Sequence, residues 1–92
     1  MNETIPVLFE DQYLIAISKR AGLITHPAHT HEGTSVSSLM LARYPDIRGH
    51  TWPTEAKGRE GIVHRLDRDT SGVLLIARDP QTYSALKAAF GQ

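Results

Sequence analysis

Residues 61–79 read G-I-V-H-R-L-D-R-D-T-S-G-V-L-L-I-A-R-D. The apolar pair Ile62 and Val63 leads into a dense polar cluster of His64, Arg65, Asp67, Arg68, Asp69, Thr70 and Ser71, and Gly72 then opens a second apolar run from Val73 to Ala77. The pattern predicts strand, polar turn, strand. Two rigid flanks would fix the polar side chains at a sheet edge, so the turn is where chemistry is expected. Arg65 lies two residues before Asp67, and on an extended segment both point to one face.

Outward from this run, residues 7–10 and 13–18 are short, rich in apolar and β-branched residues, and separated by Asp11 and Gln12, which predicts a hairpin. Its second arm alternates Leu14, Ala16 and Ser18 with Tyr13, Ile15 and Ile17. Lys19-Arg20-Ala21-Gly22 breaks the arm, with Gly22 free to take a positive φ, and residues 23–25 resume as extended chain. Thr34 or Ser35 caps a helix reaching about Tyr44, with Val36, Leu39, Met40 and Arg43 on one face, and Pro45 stops it. Residues 46–60 are polar and broken by Gly49, Pro53 and Gly58, which predicts a long loop. Asp79 as N-cap and Pro80 at the first helical position start a last helix, with Tyr83, Leu86, Lys87 and Phe90 on one stripe.

Ninety-two residues at 40% hydrophobic supply one small core. With no cysteine there is neither a disulfide framework nor a thiolate metal site, which suits a reducing compartment, and the cytoplasm is expected. No basic leader followed by an apolar run is present, and no membrane association is expected. The net charge of zero argues against a broad basic surface, but the balance is uneven. Residues 1–56 carry four basic and six acidic side chains, residues 57–92 six basic and four acidic. Lys57, Arg59, Arg65 and Arg68 would line a phosphate path; ordinary solvated charge is the plainer alternative.

His64-Arg65-Leu66-Asp67 followed by Thr70-Ser71-Gly72 and the apolar run closely resembles the signature of the RluA-type pseudouridine synthases, which isomerise uridine in ribosomal or transfer RNA. Residues 7–11, 14–19 and 21–23, with His26-Pro27, are similar to the opening segment of that family, in the same order. Arg20 stands where the family more often has proline, which leaves that turn less rigid.

The resemblance implies an α+β fold, a mixed and mainly antiparallel sheet with flanking helices, of which residues 1–92 form the N-terminal portion of the catalytic domain. It also implies that Asp67 is the catalytic residue, that Arg65 holds the flipped nucleotide and pairs with the aspartate, and that no metal or organic cofactor is needed. His64, Arg68, Lys19 and Arg59 are the further RNA-binding candidates. The partner expected is RNA, ribosomal or transfer, with the protein a monomer once the rest of the domain is present. The family's later Lys-x-Tyr strand and Gly-Arg-x-His-Gln-Ile-Arg element are not found in this chain. The sheet is therefore expected to be incomplete at the C-terminus, and no separate N-terminal RNA-binding domain is expected. A catalytically inactive RNA-binding remnant of the family is the alternative function.

Three other readings of the polar residues compete. Taken on spacing alone, Arg65, Asp67, Arg68 and Asp69 read equally as a charged turn pairing within itself. Asp67-x-Asp69 after an apolar segment is similar to the D-x-D-x-T loop of haloacid-dehalogenase-type phosphatases, but Thr70 follows Asp69 directly and Ser71 holds the threonine position. His26, His29 and His31 with Glu32 offer zinc three imidazoles and a carboxylate, yet this spacing matches no metal motif and Pro27 and Gly33 mark a loop, so no metal site is expected.

Overall fold

The computed structural model describes residues 4–25 and 34–91. Three strands form one antiparallel sheet in the order β1 (Val7–Glu10), β2 (Leu14–Lys19), β3 (Gly72–Ala77). Two helices, α1 (Val36–Arg43) and α2 (Pro80–Phe90), complete an α+β architecture. The hairpin forms because Asp11 accepts from the backbone N–H groups of Tyr13 and Leu14 through Oδ1, at 2.8 and 2.9 Å, replacing ladder bonds across the turn. These two bonds hold the Asp11 carboxyl below its ordinary range. A bulge between Val7 and Phe9 shifts the pairing by one residue.

β2 is the central strand, and its alternation sorts the molecule. Ile15 and Ile17 face one side with Leu74 and Ile76 of β3, all four with no exposed surface. Burying each such side chain stabilises the fold by about 1.5–3 kcal/mol. Val36, Met40 and Leu41 of α1 close over this layer together with Leu23, Ile47 and Ile62. On the other face α2 lays Tyr83 and Leu86 against Leu75, Ala77 and Val63, while Phe9 and Val73 stay exposed.

Both helices start at local signals. Ser35 caps α1 with a reciprocal box: its Oγ accepts from Ser38 N at 3.1 Å, and Ser38 Oγ accepts from Ser35 N at 2.9 Å. Asp79 accepts from Thr82 N at 2.7 Å and starts α2, with Pro80 in the first turn.

Two expectations are corrected. Ile62 and Val63 do not form a strand; Ile62 makes a single bridge to Ile76, and Ala77 N donates to Gly61 O at 2.8 Å. The pair is buried by packing rather than by ladder pairing. Residues 46–60 are also no open loop. They include most of the 3₁₀ turn Pro45–Gly49 and all of a second, Thr54–Ala56, and they bury Ile47 and Ala56 completely. Trp52 Nε1 donates to Ile47 O at 2.6 Å, so the indole ties one turn to the next.

Candidate active site

The polar turn is held from beneath by residues 19–25. Lys19 continues the Ile15, Ile17 face of β2 and is 1% exposed. Its Nζ donates to the carbonyls of Arg20, Arg68 and Thr70 at 2.9, 3.0 and 2.7 Å. Burial pushes its pKa down and Arg20 adds to this, while Asp69 and Asp67 act in the opposite direction. Gly22, at a φ of 94° as its place after the strand requires, brings its N–H to Arg68 O at 2.6 Å. Thr25 Oγ1 donates to Leu66 O at 2.7 Å and receives Leu66 N–H at 3.3 Å. Thr70 N donates to Asp67 O at 3.0 Å and closes the β-turn.

The result is an extended segment in which Leu66 points inward to the core while Arg65 and Asp67 point out to solvent. Neither the Arg65 nor the Asp67 side chain has a hydrogen bond or ion pair among the described residues. An exposed carboxylate on a backbone fixed at Leu66, Arg68 and Thr70 is free to meet a ligand without first breaking a contact. The cluster is thus not a turn that pairs within itself; only Arg68 and Asp69 approach, at 3.7 Å, on exposed side chains, and such a pair contributes little. Nor does Asp67 end a sheet strand, as the phosphatase loop would need.

The other expected site residues are placed as follows. His64 is half-buried, accepts Leu75 N–H at Nε2 over 3.0 Å and stacks on Phe90 with ring centroids 4.5 Å apart. Burial lowers its pKa, and an accepting Nε2 requires the neutral ring, so His64 fastens the start of the segment to the outer edge of β3. Arg68 is exposed beside Asp67. Arg59 lies apart, its Nε donating to Glu55 O at 3.2 Å. Lys19, expected at an RNA contact, is turned inward instead, and alternation along β2 was the signal for it. Thr25 was missed altogether, because nothing local marks a threonine whose partner is 41 residues away.

His26, His29, His31 and Glu32 lie outside the described residues. Among the described residues no group of three or more metal-ligating side chains comes together, and no helix is long and apolar enough to cross a membrane. A groove of about 750 Å³ opens elsewhere, between Leu41, Trp52 and the two 3₁₀ turns.

Residues 13–92 match the family model for RNA pseudouridylate synthase. An uncharacterized RNA pseudouridine synthase of Synechocystis sp. is 42% identical over 77 residues, 84% of this chain and 22% of that protein. Ribosomal large subunit pseudouridine synthase D of Xanthomonas campestris is 44% identical over 81 residues, 87% of this chain and 22% of that protein. Among solved structures, human RNA Pseudouridylate Synthase Domain Containing 4 superposes with a TM-score of 0.65 at 25% identity, covering 92% of this chain and 29% of that one. The chain thus spans less than a third of the relatives it matches. With the match running through both the hairpin's second arm and the Asp67 turn, the chain belongs to the RNA pseudouridylate synthase family, as a member of the RluA type.

Proposed function

We propose that this chain is the N-terminal portion of the catalytic domain of an RNA pseudouridine synthase, and that Asp67 is its catalytic carboxylate. The observation that carries this is the outward pair of Arg65 and Asp67 on a segment pinned by Lys19, Gly22 and Thr25. Isomerisation breaks the uracil N1–C1′ bond and builds oxocarbenium character at the ribose, which a fixed carboxylate stabilises or attacks. The freed base turns, C5 bonds to C1′, the C5 proton leaves and N1 takes up a proton. Atoms balance without a cofactor. A uridine inside folded RNA leaves its stack first, and Arg65, on the same face as Asp67, is positioned to hold the extruded nucleotide. Arg68 lies at hand for a flanking phosphate. Lys19 and His64 act as positioning residues for the segment.

Because a relative is named a ribosomal large subunit synthase, ribosomal RNA is the first substrate to test, with transfer RNA second, for a monomer in the cytoplasm. The assay is release of tritium from RNA labelled at uridine C5, using the protein as isolated from its cells. Asp67→Ala should lower release by roughly four orders of magnitude or more. Salt-sensitive RNA binding that survives Asp67→Ala, with no release from the parent protein, would establish the inactive RNA-binding remnant instead.

A further inference from the structure

The groove away from Asp67 has a composition that the reaction itself does not use. We infer that Arg48, Trp52 and Lys57 hold a single-stranded segment of RNA beside the one that carries the target uridine. The inference rests on the synthase reading for its substrate class, and it adds a second binding surface to it.

The groove lies between Leu41 of α1, Trp52 and Pro53, and the residues that flank the second 3₁₀ turn. Its apolar part is rigid. Trp52 is locked by the bond from Nε1 to Ile47 O, and Tyr83 packs edge-on against it with centroids 5.7 Å apart at 89°. The indole N–H is therefore consumed within the protein, and what remains for a ligand is the part of the half-buried ring that lines the groove. His50 stands edge-on to the same ring at 6.2 Å.

The rim is cationic. The side chains of Arg48 and Lys57 are exposed and have no hydrogen bond or ion pair among the described residues. Among the described residues Glu60 is the one acidic residue lining the groove, and its Oε2 accepts Gly58 N–H at 3.1 Å. A fixed aromatic surface beside two unpaired cations is what single-stranded nucleic acid requires: a base stacks on the ring and the phosphates meet the charges. Position agrees with this. Lys57 and Asp67 are ten residues apart along the chain and cannot be separated by more than about 36 Å. The molecule measures 32 × 24 × 23 Å, so the groove and the aspartate both lie within the length of one short RNA strand.

The test uses an unstructured uridine-rich RNA oligonucleotide as probe. Trp52 is the single tryptophan of the 92 residues, and the part of the emission change that disappears in Trp52→Phe reports the groove. RNA should quench the Trp52 emission. The Arg48→Gln, Lys57→Gln double variant should bind about tenfold more weakly at low salt, with the slope of log affinity against log salt reduced by about 0.7 for each phosphate no longer neutralised. Thermal melting of the double variant should match the parent, since neither side chain has a partner among the described residues. RNA that binds without moving Trp52 emission overturns the inference, as does equal affinity and equal salt slope in the double variant. A polyglutamate peptide that quenches Trp52 where RNA does not also overturns it, in favour of an acidic protein partner. Tritium release by the parent separates the two claims. Release with unchanged RNA affinity in the double variant refutes the groove alone; no release, with affinity that depends on Arg48 and Lys57, refutes the synthase reading alone.

Discussion

Lys19→Met removes the ammonium and keeps the length of the stem, so it tests what holds the Asp67 turn. Three hydrogen bonds from a charged donor, at about 1.5–3 kcal/mol each, stand against a desolvation cost of several kcal/mol for a buried ammonium. In the variant Arg68 O keeps Gly22 N–H at 2.6 Å, while the carbonyls of Arg20 and Thr70 lose the Lys19 donor. The net loss expected is about 2–4 kcal/mol. Urea unfolding followed by circular dichroism measures it. Thr25→Val, which frees both backbone groups of Leu66 without touching a charge, should cost about 1–2 kcal/mol. The pH dependence supplies an independent readout. Because burial lowers the Lys19 pKa below its ordinary 10.5, the folded chain gives up this proton before the unfolded chain does. The parent's stability therefore rises with pH through the window just below 10.5, and the difference between parent and Lys19→Met should carry that slope. A Lys19→Met midpoint within about 0.5 kcal/mol of the parent would refute the reasoning, because the turn would then hold without the ammonium.

Gly61→Ala should destabilise by more than about 2 kcal/mol in the same assay, because φ is 86° and an added Cβ would sit 2.6 Å from Ala77 O, backbone that cannot yield. His64→Gln should flatten the acid limb of stability: burial depresses the folded pKa of His64, so its contribution is fully present above 6.5 and is lost as pH falls below that value. Urea midpoints of parent and variant compared between about pH 7 and about pH 5 check this, and parallel curves would rule it out.

What the sequence made legible was what local chemistry decides. Asp11 announces the hairpin turn, Ser35 and Asp79 announce the helix starts, Pro45 announces a stop, and each lies where those rules put it. Ile62 and Val63 depart from the strand expected of them because a short apolar run reports burial without reporting what does the burying, and here α2 and the inner face of β3 cover them while the ladder takes only one bridge. Residues 46–60 looked open because polar composition outweighed Ile47 and Ala56, two side chains that fold the segment back on the core. At the site, the outward pairing of Arg65 and Asp67 followed from their spacing. The supports at Gly22 and Thr25 lie far away in sequence, and no local pattern announces them.

The register of β2 against β3 then explains why the site depends on the whole sheet. Lys19 pairs with Gly72, the first residue after the polar turn, and the same pairing puts Ile15 and Ile17 opposite Ile76 and Leu74 in the core. A slip of one residue would carry both isoleucines to the other face and turn Lys19 away with them. The burial that fixes the register and the ammonium that fixes the turn are therefore one alternation read along one strand. Gly72 completes the arrangement from the other side, since its absent side chain leaves Leu66 Cδ1 only 3.2 Å from where a Cβ would stand. Leu66 can close down on the core there, and Arg65 and Asp67, its two neighbours, are turned outward by the same step.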